Sequence, residues 1–136
     1  MARIINFSDG FTSATAPSLT GSTASTTQTL ANAQSATNIT SLSFSSATYR
    51  GAVFEIEVSR KTASSERRGL ISCMVCYDTT AVSWTLVRYD EDNSGTDLGV
   101  TITITAGGQV QYATDSQSGA SYAGTGKWNI LRSYGV

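Results

Sequence analysis

The sequence predicts an all-β domain, a β-sandwich or jelly-roll-like body carrying an extended N-terminal arm. Three observations predict it. From residue 38 onward, apolar residues recur with a period of two, the mark of half-buried antiparallel strands. Polar or glycine-rich turns separate these runs at a spacing of roughly 10–15 residues, the cadence of sandwiches and barrels. No segment of any length carries the i, i+3, i+4, i+7 pattern of an amphipathic helix. A closed barrel is the competing architecture, because periodicity alone does not separate it from a sandwich.

The expected division is an arm over residues 1–30 and a single body over 31–136. Eleven of the eighteen residues from Thr12 to Thr29 are Ser or Thr, with the only proline, Pro17, among them. Such a stretch offsets its ordering entropy only where a neighbouring surface accepts it. An apolar cluster, Ile4, Ile5, Phe7 and Phe11, precedes or opens it, so the segment reads as an anchor on a polar tether. A frayed terminus with a first strand of the same body is the alternative.

Within the body, Asn38 to Phe44 starts the alternation and Gly51 to Arg60 continues it, with Ala52, Phe54, Ile56 and Val58 on one face and Glu55, Glu57 and Ser59 on the other. The polar segment Ser59 to Arg68 is expected as an exposed hairpin connection. Gly69 to Tyr77 follows as a strand with Ile71, Cys73 and Val75 inward. After a turn at Asp78 to Thr80, Val82, Trp84 and Leu86 should face the core. The acidic run Asp90 to Asp97 reads as a loop. Gly99 to Thr105 is a strand with Val100, Ile102 and Ile104 inward, Ala106 to Gly108 a tight turn, and Gln109 to Ala113 the returning strand, with Val110 and Tyr112 inward. A second polar, glycine-rich loop leads to a closing strand from Lys127 to Arg132, in which Trp128 fills the core.

Composition excludes several functions. Charged residues are 14% of the 136 and the net charge is −1, so the surface is covered by neutral hydroxyls and amides, as in subunits buried against neighbours. Nine scattered Lys and Arg against ten acids argue against nucleic acid as a partner. No apolar run is long enough to span a membrane, and MARIINFSDG lacks the apolar segment of a secretory signal. The expected setting is a cytoplasm, followed by assembly.

With no histidine in the chain, Ser-His-Asp and Cys-His catalysis are excluded and the commonest metal ligand is missing. Glu55 and Glu57 stand about 7 Å apart on one strand face, the makings of a carboxylate pair, but a solvated or interface-facing surface is the simpler reading. Cys73 and Cys76 have C-x-x-C spacing, yet in a strand they face opposite ways and zinc would need two more ligands; buried, reduced thiols are expected. Asp90, Asp92 and Ser94 with Gly95 imitate the opening of a calcium loop, but Thr101 occupies the position of its bidentate glutamate. No cofactor, metal or enzymatic activity is therefore expected.

The C-terminal run DLGVTITITAGGQVQYATDSQSGASYAGTGKWNIL, with YRGAVFEIEVSRKT before it, resembles the closing module of tailed-bacteriophage virion proteins. In those a GVTF-type strand, a glycine turn, a QVQY strand, a glycine-rich loop and a Lys-aromatic strand succeed one another. The resemblance extends over roughly residues 38 to 133. It implies a non-enzymatic β-sandwich subunit on the outside of a phage particle, assembled in the host cytoplasm. A capsid decoration (cement) protein that stabilises the particle is the leading expectation, because the chain is short and has no repetitive shaft; a head- or tail-fibre domain binding a host receptor or glycan is the alternative. The implied partners are the major capsid protein or other virion proteins and further copies of the chain, with three copies the arrangement the resemblance points to. The arm residues Ile4, Ile5, Phe7 and Phe11 would clamp a neighbour, as extended segments do. Arg60, Lys61, Arg67, Arg68 and Tyr122 would make surface-loop contacts. In the receptor-binding reading, the loops at 60–68, 90–97 and 115–125 form the site.

Overall fold

The computed structural model describes residues 25–93 and 95–136. The arm residues Ile4, Ile5, Phe7 and Phe11 lie outside the described residues.

Among the described residues eight strands follow in chain order: β1 (Thr26–Thr29), β2 (Thr37–Ser43), β3 (Tyr49–Lys61), β4 (Glu66–Asp78), β5 (Ser83–Asn93), β6 (Val100–Ile104), β7 (Gln109–Thr114) and β8 (Ala123–Gly135). They form a five-stranded sheet in the order β1-β8-β3-β4-β5 and a three-stranded sheet in the order β2-β7-β6, and every pairing is antiparallel. The molecule is thus a β-sandwich of two open sheets, and the closed barrel is set aside. Its alternating strands each supply one apolar side. Ala52, Phe54, Ile56 and Val58 of β3, Ile71, Cys73 and Val75 of β4, Trp84 of β5 and Trp128 of β8 meet Ile39 and Leu42 of β2, Val100 and Ile102 of β6, and Val110 and Tyr112 of β7. Leu30, Phe44 and Leu98 close the edges of this core.

The strand β2 keeps two residues three apart, Ile39 and Leu42, in the core. Strict alternation would turn one of them outward. A register shift between Asn38 and Ser43, with Ser41 at φ 63°, rotates the chain between them, as a bulge does. Gln109 Nε2 fills the bulge by donating to the Ile39 carbonyl at 3.0 Å and the Leu42 carbonyl at 3.1 Å.

Four expectations are corrected. Among the described residues the sheet begins at Thr26, inside the segment expected as arm, because Thr26–Thr29 pair with Trp128–Thr125 of β8. The hairpin expected over Ser59–Arg68 shrinks to residues 62–65, since β3 and β4 stay paired as far as Lys61 and Glu66. Val82 does not face the core: it sits in the β4–β5 turn at φ 54° and is 67% exposed, the Asp78 carboxylate having closed that turn by accepting from the Thr80 and Ala81 amides at 2.7 and 2.9 Å. The Ser121–Gly126 run is not all loop, as β8 begins at Ala123. Gly124 faces inward there, and a Cβ on it would collide with the Leu30 carbonyl and the Tyr122 hydroxyl, so its bareness lets both close over the sheet.

The connections sort to two ends. The β2–β3, β4–β5 and β6–β7 turns lie at one end. At the other end the β1–β2, β3–β4, β5–β6 and β7–β8 connections come together.

Candidate functional site

The second of these ends is organised by one buried cation. Along β3 the inward residues are Phe54, Ile56, Val58 and then Arg60, whose side chain is 0% exposed. A lone buried guanidinium is expensive unless all its donors find acceptors, and here they do. Its Nε donates to the Tyr122 hydroxyl at 3.0 Å. Nη1 donates to the carbonyls of Leu98 and Gly99 at 2.8 and 2.9 Å and to Asp115 Oδ1 at 2.7 Å. Nη2 donates to the Asp115 carbonyl at 2.7 Å and to Asn32 Oδ1 at 3.3 Å. One side chain therefore ties the β1–β2, β5–β6 and β7–β8 connections to the end of β3.

Neighbouring groups extend this brace. Arg67 Nη1 donates to both Asp115 oxygens at 2.9 and 2.8 Å, so two guanidinium groups share one carboxylate that is 51% exposed. Partial desolvation pushes the Asp115 carboxyl up, but hydrogen bonds from Arg67 and Arg60, with their charges, outweigh it and hold it below the ordinary carboxylate value. The Tyr122 hydroxyl in turn donates to the Leu30 carbonyl at 3.0 Å. Asn32 and Gln117 bond reciprocally, Asn32 Nδ2 to the Gln117 carbonyl at 2.9 Å and the Gln117 amide to Asn32 Oδ1 at 2.8 Å. Buried Gln117 also reaches Ser65 Oγ at 3.0 Å, and the Ala63 amide donates to the Ala120 carbonyl at 2.8 Å. The β3–β4 and β7–β8 loops are thereby stitched together. Towards water this end presents Ser64, Thr96, Ser116, Ser118 and Ser121, all exposed: neutral hydroxyls on a braced backbone.

This corrects the expectation for Arg60. It is not a surface contact, because it continues the inward phase of Phe54, Ile56 and Val58 onto a ring of carbonyl oxygens. Tyr122 is half-buried and its hydroxyl is engaged on both sides. Arg67 is half-buried beside Asp115, while Lys61 and Arg68 are exposed, Arg68 lying 3.4 Å from Glu66. Asn32, Asp115 and Gln117 were not singled out by sequence. The inward phase of Arg60 was the available signal, since it demands acceptors from whatever packs above it.

The outward side of the five-stranded sheet is the other notable surface. Its cross-strand rows run Arg132, Val53, Met74, Val87 and, nearer the Arg60 end, Lys127, Glu57, Leu70, Asp92. Met74 is 36% and Val87 52% exposed. Glu55 accepts from Ser72 Oγ at 3.4 Å and Glu57 is exposed, so the two carboxylates stand on an open strand face. A shallow cavity of about 360 Å³ lies between Glu57, Arg68, Gly69, Leu70, Asp92 and Asn93.

The cysteines separate as a strand requires. Cys73 is in the core, where burial pushes its thiol up to about 11 against the opposing charge of Arg88. Cys76, expected to be buried, is exposed beside Gly51 and Tyr134 on the outer face. The first half of the calcium-like run is strand, since residues 90–93 belong to β5, and in the β5–β6 connection the Asp97 carboxylate accepts from the Gly99 amide at 2.7 Å. Among the described residues no group of three or more His, Cys, Asp or Glu is placed to hold a metal ion.

No protein-family model matches the chain, and no curated protein sequence matches it. The fold is similar to part of the crystal structure of the Acinetobacter phage vB_ApiP_P1 tailspike protein, with a TM-score of 0.54 and 14% identity. The similarity covers 82% of this chain and 22% of that one. At this identity the likeness is one of fold.

Proposed function

We propose that this chain is a non-enzymatic module of the bacteriophage virion surface that acts by contact, on the tail side as a fibre- or spike-type domain. The observation that carries this reading is the fold likeness to a phage tailspike over 82% of the chain. The braced loop end supports it. Arg60 ties three connections together and Gln117 ties in the fourth, which braces a surface of small hydroxyl side chains, and rigid loops on a sandwich are a common way to present a binding surface. The ionisable groups around Arg60 are engaged with one another, which suits positioning rather than proton transfer. Partners on this reading are a host surface component on one side and other virion proteins, or further copies, on the other.

The capsid-decoration reading draws on the low charge and polar N-terminal segment, and one experiment separates the two. The purified chain is mixed with host envelope fractions and, in parallel, with purified capsids. Adsorption to the envelope fraction is expected, reduced when the exposed Ser118 at the loop end is replaced by Trp with the melting temperature unchanged. Binding to capsids alone would replace this proposal with decoration.

A further inference from the structure

The five-stranded sheet has one edge that is only half covered. On its β3 side β8 is paired as far as Gly135. On its other side β1 is four residues long, so among the described residues the pairing ends where Thr26 meets Trp128. Residues 129–135 therefore turn a free strand edge outward. It carries the exposed apolar side chains of Ile130, Leu131 and Tyr134 and a single charge, Arg132. An open edge of this kind is a template for another strand. The direction of its polar groups follows from the ladder. The Leu30 amide donates to the Gly124 carbonyl at 2.9 Å, and bonded pairs alternate with unbonded ones along antiparallel strands. Gly126, Trp128 and then Ile130 thus point N–H and C=O to the β1 side, whereas Asn129, opposite Glu55, points its own to β3.

We propose that residues 19–24 of this same chain occupy the edge, extending β1 along β8 to the end of the sheet. The occupant follows from where the described chain enters. At Thr26 it already runs antiparallel to β8 and level with the start of the free half, so the residues before it reach the edge without a turn. Counting back one for one from the Thr26–Trp128 pair sets Ala24 opposite Ile130, in a bonded pair, and Leu19 opposite Gly135. The register shift near Leu131 moves the far end of this count by one residue. Pro17, which has no N–H to give to a ladder, falls just past the end. Composition agrees with the placement. No charged residue occurs from Gly10 to Tyr49, so no charge on the incoming segment is desolvated or set against Arg132. Ile130 pairs with buried Phe54, which puts it on the core side of the sheet, yet it is 40% exposed; a strand carrying Ala24 beside it removes part of that exposure. The extension holds wherever on a virion the chain acts, and it leaves residues 1–17, with Ile4, Ile5, Phe7 and Phe11, for contacts outside the sheet.

Amide hydrogen exchange on the full chain, read residue by residue by NMR, tests it. The Ile130 amide is expected to exchange about a hundredfold more slowly than an unprotected amide. Ala24→Pro removes the N–H that donates to the Ile130 carbonyl on this register, and should bring Ile130 close to the unprotected rate. Asn129, facing β3, should stay slow in that variant and so report an intact sheet. Thr23→Pro, at a position whose N–H faces water, should leave Ile130 slow. Light scattering at the same concentration should give the 14.3 kDa of a single chain. Three results would each overturn the proposal. One is an unprotected Ile130 in the native chain. Another is an equal response to the two prolines. The third is protection that disappears on dilution together with a species of twice the chain mass, which would assign the edge to a second copy.

Discussion

Replacing Arg60 by Met keeps most of the buried stem and removes the guanidinium alone, so it measures the brace. The carbonyls of Leu98, Gly99 and Asp115 each lose their Arg60 donor. The Gly99 carbonyl keeps the Asp115 amide at 2.9 Å and the Asp115 carbonyl keeps the Ala33 amide at 3.1 Å, so of the three, among the described residues, only the Leu98 carbonyl is left without a donor. That orphan costs about 1–3 kcal/mol, and with about 0.5 kcal/mol for each of the other two lost bonds the loss comes to about 3 kcal/mol. The Asp115 carboxylate adds little, since it is 51% exposed and keeps Arg67. Arg60→Lys retains charge but not the planar fork, and a compact ammonium reaches fewer of these acceptors; about 2 kcal/mol is expected. The buried Trp84 and Trp128 report unfolding in urea by fluorescence, and equal slopes across variants would license comparison of midpoints. Native-state hydrogen exchange should also show faster opening of residues 95–99 and 115–122 in Arg60→Met. A loss below about 1 kcal/mol, with those loops still protected, would refute the argument that one side chain organises this end.

The same network predicts a pH response. Because the folded Asp115 carboxyl is held below its ordinary value of 3.8, its stabilising contribution is complete above the unfolded value and is lost as pH falls through the folded one. Urea midpoints of the native chain should drop more steeply below about pH 4 than those of Asp115→Asn; parallel curves would contradict this. At Gly108, φ is +95° and an added Cβ would run into the Phe44 carbonyl oxygen, whereas Gly95, at φ +94°, has open space around it. Gly108→Ala should therefore lower stability by about 3 kcal/mol and Gly95→Ala by about 1 kcal/mol, measured by the same unfolding assay. Val82 is a β-branched residue at φ 54° in a solvent-facing turn, a strained placement. Val82→Gly should raise the urea midpoint by up to about 1 kcal/mol equivalent, and a drop would show that the strain is absent.

The strands were legible because alternation is local information: Ala52, Phe54, Ile56 and Val58 state their common face without reference to any other part of the chain. The same holds for Ile71, Cys73 and Val75, and for Val100 and Ile102. Where expectation and structure part, a longer-range force intervened. Val82 carried the inward phase, but the Asp78 carboxylate closed the turn before it. Cys76 reads as a core thiol by its type, yet among the described residues the second sheet packs on the opposite side of β4 and leaves it exposed. Arg60 was assigned to an exposed hairpin on the strength of its charge, although its phase placed it inward.

The all-β class, most strand positions and the near-absence of chemically reactive side chains were therefore determined by sequence alone, since they depend on period and composition. Only the tertiary structure decided which strands share a sheet, that three connections converge on Arg60, and that Gln117 ties in the fourth. Those facts depend on pairing between residues as distant as Asn32 and Gln117 or Lys61 and Ala123. Such register is set by the closing of long loops around a common core, and no local pattern encodes it.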